Sequence, residues 1–340
     1  MKYSVILGTM TAAGLAAGAA MAGTLDDVQA RGKLNCGVTT GVPGFAQPDA
    51  DGVWQGFDVA VCRAVAAAVL GDGSAVEFVP TTGKTRFTSL ASGEIDMLAR
   101  NTTWTFSRDV DLKFEFTGVN YYDGQGFMVK KDTGITSSKS QDIDGVTVCI
   151  QTGTTTELNL ADHFRTVGMS YEPLPVESGS EAVTQYLAGA CDMFTTDASA
   201  LAARRANFEN PNDHVLLPEI ISKEPLGPLV RHGDNNWGDV VRWTLNALIT
   251  SEELGVTSGN IEEMSKGTNN PEMNRLLGSE GNLGEMLGLD ADWAKRAIMV
   301  GGNYGEIFEN NIGSGTIIGL ARGLNAQWTD GGLIYSPPFR

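Results

Sequence analysis

Histidine, proline and positive charge are all scarce in this sequence. Three histidines and 12 prolines occur among 340 residues, and 24 basic residues face 41 acidic ones, for a formal net charge of −17. Such an acidic chain is repelled by phosphate backbones, so we expect no nucleic-acid partner. With proline this infrequent, the composition gives no indication of a disordered chain.

The usual patterns for metals and cofactors are missing. His163, His214 and His232 lie far apart, and no two cysteines have C-x-x-C spacing, so we expect no metal site. Gly124-Gln125-Gly126 lacks the third glycine of a dinucleotide-binding fingerprint. A Walker loop and a G-x-S-x-G elbow are not found either, and we therefore expect no cofactor.

The most continuous apolar stretch stands at the N-terminus. It follows Lys2, runs from Val5 to Ala20 and ends in an A-x-A pattern that closes at Ala22. This arrangement is typical of a secretory signal peptide, which we place at residues 1–22, because the stretch is too short and too rich in alanine and glycine for a membrane span. We expect an exported, periplasmic protein whose mature form begins near Gly23.

Four cysteines remain in the mature chain, at Cys36, Cys62, Cys149 and Cys191. An even number of cysteines in an exported protein favours two disulfides. Four cysteines can pair in three ways, and their spacing alone leaves all three open.

Two parts of the chain show the same alternation of strands and helices. The part from Leu34 to Ala99 has three strand-like runs separated by helical patterns, and the part from Gly145 to Arg205 repeats this order. Such alternation predicts an α/β fold in which each unit is a mixed, mostly parallel sheet flanked by helices.

An apolar strand at Gly126–Lys131 lies between the two units, and a matching one at Pro228–Gly233 follows the second unit, which predicts two crossings. The chain would leave a first lobe (23–127 plus 231–340), build a second lobe (128–230) and return. Beyond Trp237 the sequence is helical and then glycine-rich, and its pattern indicates no role for this extended C-terminal tail.

A polar loop follows the predicted strand that ends near Ala99. It runs from Asn101 to Arg108 and contains three threonines. Ligands of open α/β sheets bind beyond the carboxyl ends of strands, and an arginine there matches a carboxylate. The alternative is an ordinary loop in which Arg108 pairs with Asp109 or Asp111.

Two more polar segments also follow strands. In the first, Thr154 and Glu157 fit a capping box, and the N-terminus of the helix would present free N–H groups to an anion. In the second, Asp197 could accept hydrogen bonds from an ammonium group or merely cap the next helix. Since the three segments come from both units, they could converge in one cleft and bind a carboxylate beside an ammonium.

Taken in order, these motifs resemble a known family. Gly56-Phe57-Asp58-Val59, residues 101–108, Gly153-Thr154-Thr155 and Thr196-Asp197 are similar to the polar amino-acid receptors of ABC importers, bacterial solute-binding protein family 3. The tail, with 303–308, 322–325 and 335–338, looks like that of the longer, general L-amino-acid-binding subfamily. The resemblance implies a type II periplasmic binding protein, here expected to be a monomer, that closes on an L-amino acid and delivers it to a membrane permease.

The resemblance also implies roles for individual residues. Arg108 would bind the α-carboxylate of the ligand, helped by Thr103 and the backbone near Asn101, while Asp197 would accept the α-ammonium. Thr155 and Thr154 would contribute from the second lobe.

One departure concerns the aromatic residue that stacks on the ligand in shorter relatives. The corresponding position in this sequence is Val42, and we expect Phe45 or Trp104 to replace the aromatic residue.

Hinged lobes also favour one pairing of the cysteines. Cys36 with Cys62 and Cys149 with Cys191 keep each bridge within one lobe, so that neither blocks the hinge.

Two other functions are considered. A periplasmic enzyme on the same fold, such as a cyclohexadienyl dehydratase, needs a titratable group aimed at the reacting centre. No histidine lies near the three motifs, so we name no catalytic residue. A sensor part of a signalling system is the third possibility, but no attached membrane or kinase segment is found.

Overall fold

The structure is a computed structural model and describes residues 23–340. The expected signal peptide, residues 1–22, lies outside the described residues. Within residues 23–340, none of the helices combines the length and the apolar character that a membrane crossing requires.

The strands of the described residues are short, and most of them belong to two sheets. In chain order they are β1 (Leu34–Thr39), β2 (Gln47–Pro48), β3 (Trp54–Gln55), β4 (Val76–Thr81), β5 (Met97–Leu98), β6 (Phe114–Phe116), β7 (Tyr121–Asp123), β8 (Gln125–Lys130), β9 (Val146–Gln151), β10 (Tyr171–Val176), β11 (Met193–Asp197), β12 (His214–Leu216), β13 (Glu224–Leu226) and β14 (Leu229–Arg231).

The α-helices alternate with these strands and then fill the C-terminal third. In chain order they are α1 (Thr24–Arg31), α2 (Phe57–Leu70), α3 (Arg86–Ser92), α4 (Thr155–Val167), α5 (Gly179–Leu187), α6 (Ala198–Ala206), α7 (Asn235–Glu253), α8 (Ile261–Met264), α9 (Pro271–Leu276), α10 (Leu283–Leu287), α11 (Trp293–Gly301) and α12 (Tyr304–Asn311).

The first lobe is built on a five-stranded sheet with the order β4-β1-β5-β14-β6. β4, β1 and β5 run parallel, whereas β14 is antiparallel to both of its neighbours. Almost every residue of β1 is buried, as expected for a parallel strand covered by helices, and α2 and α3 both pack on it.

The second lobe repeats this plan with the order β10-β9-β11-β8-β12. β10, β9 and β11 are parallel, and β8 is antiparallel to β11 and β12. The structure thus confirms the predicted α/β fold with two lobes and two mixed sheets.

The crossings between the sheets lie earlier in the chain than the predicted ones. β7 and β13 pair with each other in a separate two-stranded ladder, in which Tyr122 lies opposite Pro225. The predicted crossings, Gly126–Lys131 and Pro228–Gly233, instead contribute β8 to the second sheet and β14 to the first. An apolar run predicts a strand but does not indicate which sheet the strand joins, so the lobe boundaries at 127/128 and 230/231 remain predictions.

Both predicted cysteine pairings are confirmed. Cys36 in β1 is bonded to Cys62 in α2, with their Cα atoms 6.2 Å apart. Cys149 in β9 is bonded to Cys191, just before β11, with their Cα atoms 5.6 Å apart. Each bridge therefore ties neighbouring elements of one lobe and leaves the crossings free.

The C-terminal tail adds to the first lobe. Its helix α11 packs along α2 and α7, and α12 also contacts both. Apolar side chains of the tail, from Val256 to Phe339, are buried in the same core cluster as the side chains of α2. The first lobe therefore has a much larger core than the second.

Candidate functional site

The loop of residues 101–108 is held by contacts with distant parts of the chain. The carboxylate of Asp58, in the first turn of α2, accepts a hydrogen bond from the Asn101 N–H at 3.1 Å. Along the second crossing, Gly227 donates its N–H to the Thr102 carbonyl oxygen at 3.1 Å, and Trp104 donates its N–H to Pro225 at 2.8 Å. The loop is thus fixed between α2 and the crossing, with Asn101 in a left-handed conformation at φ 41°.

Asp58 lies close to Asn101 because α2 begins directly after Gly56, whose backbone conformation is open to few other residues. Gly56 precedes the helix with φ 130°, and a Cβ there would lie 2.2 Å from the Phe45 carbonyl oxygen, so only glycine fits. Asp58 is buried, and this burial raises the pKa of its carboxyl group to about 6.

The loop of residues 151–157 is held by local hydrogen bonds and by the end of β10, where the Val176 carbonyl oxygen accepts from the Thr152 N–H at 3.0 Å. The Thr154 hydroxyl accepts from the Glu157 N–H at 3.2 Å, as predicted for a helix cap. The Glu157 carboxylate accepts from the Gly153 N–H at 2.9 Å, one residue before the position that a capping box uses. Helix α4 therefore begins at Thr155 with its N-terminus toward the first lobe, where Thr155 and Thr103 hydroxyls lie 3.3 Å apart.

Asp197 ends β11 and stands at the start of α6, but its side chain makes no capping hydrogen bond. Asp197 is 8% exposed. Burial, and then repulsion by Asp123 and Glu224, raise the pKa of this carboxyl group well above its ordinary value, although Arg86 and Arg100 oppose the shift. The simple helix-cap alternative is therefore not what the structure contains.

These three segments border one cavity between the lobes. Its walls combine first-lobe and second-lobe residues: Thr39, Val42, Arg86, Arg100, Asn101, Thr103, Gln151, Thr154, Thr155, Thr156, Gly179, Phe194, Thr196, Asp197, Ala200 and Arg204. Five of the predicted ligand-binding residues are in this set. The Asn101 carboxamide is of particular note, because neither of its polar atoms has a partner among the described residues.

Three arginines of the cavity wall were missed by sequence reasoning. Arg86, Arg100 and Arg204 are only 2%, 6% and 7% exposed. Burial lowers the pKa of all three, to about 10 for Arg100 and Arg204. Arg100 lies two residues after β5 and could have been noticed there. Arg86 and Arg204 lie on helices, where nothing local distinguishes them from surface arginines.

Two of these arginines also connect the lobes. Arg86 donates to the Gly153 carbonyl oxygen at 3.2 Å, and Arg204 donates to that of Gly41 at 3.2 Å. Among the described residues, the Nε–H groups of Arg86 and Arg204 are buried without a partner. A buried donor of this kind is costly unless a partner binds it, which favours an anion in the cavity.

Glu224 of β13 is a further residue that the sequence reasoning missed. One of its carboxylate oxygens accepts from the hydroxyls of Thr103 and, at 3.0 Å, of Thr155. The other accepts from Asn159 at 2.7 Å and from Ser222 at 2.6 Å. Glu224 thus joins the two threonine loops at the crossing.

Arg108 is buried at the edge of this cluster and does not line the cavity. It donates to the Thr103 carbonyl oxygen at 2.8 Å and lies over the ring of Phe87, 5.2 Å from its centroid. Burial lowers the pKa of its guanidinium to about 10. The alternative pairing with Asp109 is not formed, because Asp109 instead accepts from the Trp104 indole at 2.7 Å.

The two aromatic candidates lie away from the cavity. Phe45 is fully buried and packs edge-on against Phe57 and Tyr121. Trp104 is 40% exposed and stacks on Phe116. Val42 does line the cavity, so at this position the chain presents an aliphatic side chain instead of an aromatic ring.

Comparison with known proteins shows the family of this chain. The model of the bacterial extracellular solute-binding proteins, family 3, matches residues 34–258. This chain belongs to that family.

Its relatives extend over the full chain. A glutamate/glutamine/aspartate/asparagine-binding protein of Rhodobacter capsulatus, BztA, is 62% identical over 340 residues, and 100% of both chains is covered. The general L-amino acid-binding periplasmic protein AapJ of Rhizobium johnstonii is 53% identical over 344 residues, again covering 100% of both. The tail is therefore shared with these two relatives.

Solved structures give the same fold. A periplasmic binding protein of an ABC transporter from Brucella ovis, with glutathione bound, has a TM-score of 0.90 and 55% identity, covering 94% of this chain and 100% of that one. An ancestral amino acid-binding protein, described as a precursor of cyclohexadienyl dehydratase, has a TM-score of 0.58 and 28% identity, covering 69% and 96%.

Proposed function

We propose that this protein captures free L-amino acids between its lobes and presents them to the permease of an ABC transporter. It is a periplasmic solute-binding protein. One observation supports the ligand class most directly: Asp197 from the second lobe and arginines from both lobes line the same cavity. An α-amino acid carries both complementary charges on neighbouring atoms.

The ammonium end is assigned to the side of Asp197 and Glu224. Each threonine hydroxyl has one proton, and a carboxylate only accepts hydrogen bonds. The protons of Thr103 and Thr155 therefore point to Glu224, which leaves the lone pairs of both oxygens for a donor such as an ammonium. This differs from the expected role of Thr103, which was to help bind the carboxylate.

The α-carboxylate is assigned to Arg108 and to the N-terminus of α4. Arg108 uses one N–H for the Thr103 carbonyl oxygen and has four more in a planar fork. A small movement of this side chain on ligand binding would bring it to the carboxylate, and the N–H groups near Thr155 can bind the same anion.

The additional arginines favour ligands with an acidic side chain. Arg86, Arg100 and Arg204 surround the cavity and have carboxylates as their natural partners. The relative BztA is named for glutamate, glutamine, aspartate and asparagine, which agrees with this chemistry. We therefore propose broad binding of L-amino acids with the acidic ones preferred.

Calorimetry on the wild type and an Asp197→Asn variant tests the proposal. The wild type should bind L-glutamate and L-aspartate most tightly and other classes more weakly. Asp197→Asn should lose affinity for L-glutamate strongly but retain most of its affinity for the analogue that lacks the amine, 2-hydroxyglutarate. Equal losses for the two ligands would contradict the assignment of the ammonium.

Glutathione is the alternative ligand that a specific observation favours, since the Brucella protein contains it. The γ-glutamyl end of glutathione is itself an amino-acid zwitterion and could occupy the same groups. A thermal-shift screen over the amino acids and glutathione separates the two: a shift with glutathione alone would replace free amino acids as the ligand.

No chemical step is part of the proposed function, and the dehydratase on the same fold is the alternative. Its activity would be seen as a change in absorbance when the protein is incubated with arogenate or prephenate. We expect none, and steady turnover of either compound would overturn the proposal. We further propose that the protein acts as a monomer, which light scattering tests.

A further inference from the structure

Two side chains of the C-terminal tail bind the backbone of the first crossing. The hydroxyl of Tyr304 donates to the Asn120 carbonyl oxygen at 2.9 Å. The Asn325 carboxamide accepts from the Tyr122 N–H at 2.6 Å and donates to the Tyr122 carbonyl oxygen at 3.1 Å. Asn325 is 4% exposed and lies in a 3₁₀ turn, Gly323–Asn325.

The carboxamide of Asn325 takes the place of a neighbouring strand. β7 pairs with β13 along one edge, where the Asn120 N–H donates to the Leu226 carbonyl oxygen at 2.9 Å. Tyr122 presents its N–H and C=O to the other edge, and Asn325 binds both. The first crossing is therefore held on both sides, by the second crossing and by the tail.

The tail is in turn fastened to the first lobe. Arg322 forms a bidentate ion pair with Glu252 of α7, at 2.8 and 3.1 Å, and lies over the rings of Tyr304 and Phe308. Gln327 donates to the carbonyl oxygen of Ile249, also in α7, at 3.0 Å. Tyr122 is thereby tied, through Asn325, to the body of the first lobe.

The next residue is tied to the other lobe. The Asp123 carboxylate accepts from the hydroxyl of Ser199, in α6 of the second lobe, and from the Gly124 N–H at 2.8 Å. On this crossing the backbone of Tyr122 is therefore held by the tail of the first lobe, and the side chain of Asp123 is held by α6 of the second lobe.

We infer that Asn325 is a positioning residue of the hinge: it clamps Tyr122 to the first lobe and confines the closing motion to the backbone beyond it. The inference rests on the proposed function, because closure serves ligand capture. Without the clamp, the open state gains more conformational freedom than the closed state, so closure becomes less favourable and the ligand leaves sooner. The tail thus acquires a role that its sequence pattern did not indicate.

Asn325→Ala tests the clamp, with Gln327→Ala as the matched control. Gln327 also fastens the tail to α7, but its contacts are with Ile249 and Glu252 and not with the crossing. Asn325→Ala should raise the dissociation rate of L-glutamate roughly tenfold, the equivalent of about one net hydrogen bond. It should also speed hydrogen exchange at the Tyr122 amide. Gln327→Ala should lower the melting temperature but change both rates much less, because the Arg322–Glu252 pair still fastens the tail and Asn325 still binds Tyr122.

Asn325→Asp provides a second test if the alanine variant folds poorly. It keeps the acceptor for the Tyr122 N–H but sets a buried carboxylate oxygen, which cannot donate, against the Tyr122 carbonyl oxygen, so its dissociation rate should be at least as fast as that of alanine. Equal dissociation rates for Asn325→Ala and Gln327→Ala at similar melting temperatures would overturn the inference.

Hydrogen exchange needs no ligand and keeps the two hypotheses apart. If the wild type bound no amino acid, the proposed function would fail, and the exchange rate at Tyr122 would still decide whether the clamp exists.

Discussion

The two loops that bring threonines to the cavity differ in what holds them in place. Residues 151–157 are stabilised by their own hydrogen bonds, from Glu157 to Thr154 and from Gly153 to Glu157. Residues 101–108 depend on Asp58 and on the second crossing, far away in sequence. The loop of residues 151–157 needs only its own helix and the end of β10 in the same lobe, where Val176 accepts from Thr152. The loop of residues 101–108 has its observed contacts only when the first lobe and the second crossing are both assembled.

The largest effect on ligand binding is expected from Arg108→Ala, at the end of the loop of residues 101–108. Truncating one partner of a buried charge pair typically costs roughly 2–5 kcal/mol, so binding of L-glutamate should weaken by at least ~30-fold. Arg108→Lys should also lose affinity, because an ammonium cannot replace the bidentate guanidinium. Titration calorimetry on variants checked by circular dichroism measures both.

The control for Arg108→Ala is Arg165→Ala, which removes an exposed arginine from the last turn of α4 and should leave affinity unchanged. If folded Arg108→Ala bound L-glutamate within threefold of wild type, the carboxylate would be held by other residues.

A smaller effect is expected from Glu224→Gln, which changes the group shared by the two loops. A carboxamide has one acceptor and one donor end, so it cannot accept from Thr103, Thr155, Asn159 and Ser222 together. We expect affinity for L-glutamate to fall about tenfold, as for the loss of roughly one charged hydrogen bond.

Glu219→Gln is the matched control for this change, because Glu219 also accepts from two serines but lies away from the cavity. Unchanged affinity in Glu224→Gln would mean that this carboxylate does not orient the threonine hydroxyls.

The pH dependence of stability tests Asp58, the residue that accepts from Asn101 and so supports the loop of residues 101–108. The Asp58 pKa is raised from 3.8 to about 6, so the folded state holds this proton more tightly than the unfolded state. The resulting stability is fully present below pH 3.8 and is lost as the pH rises through about 6. In this window Asp58 should lower the unfolding free energy by up to about 1.4 kcal/mol per pH unit.

Denaturant melts of wild type and Asp58→Asn between pH 4 and 7 measure this contribution as a difference. In Asp58→Asn the unfolding free energy should lack this part of its decrease with pH. Asp51→Asn, at an exposed position of the neighbouring turn, should retain it. Parallel curves for wild type and Asp58→Asn would show that the buried carboxyl group is not the source.

The smallest effect is expected in the loop of residues 151–157, from Thr154→Val. Losing a helix cap typically costs about 1 kcal/mol, which lowers the melting temperature by a few degrees in a chain of this size. Thr166→Val, at the other end of α4, is the control, since its hydroxyl only bonds back to Asp162. Differential scanning calorimetry compares the two, and a larger loss for Thr166→Val would contradict the capping role.

Much of the fold could be predicted because its signals repeat locally. Apolar runs bounded by glycine predicted most strands of both sheets, and the even cysteine count with two lobes predicted both bridges. β5 is shorter than its apolar run, with only Met97 and Leu98 in the ladder. The observed crossings, β7 and β13, precede the predicted segments, because an apolar run predicts a strand without indicating which sheet the strand joins.

The site was predicted less completely than the fold, because a local pattern does not show which distant segments will meet. Asp197 ends β11, and Thr154 and Thr155 lie just beyond β9, so their positions at the cavity could be inferred from that order. Arg86, Arg204 and Glu224 come from separate helices and from the second crossing, and their burial depends on partners more than fifty residues away. A pattern within one segment contains no information about such partners.

The sequence by itself determined most of the secondary structure, the two α/β units and the polar motifs at the ends of the strands. These depend on side-chain periodicity and on neighbours along the chain. Only the tertiary structure decided which charges face the cavity, where the chain crosses between the lobes, and that Asn325 of the tail binds the first crossing. Those outcomes depend on the packing of distant segments, because a buried charge or an open strand edge is stable only where another part of the chain supplies its partner.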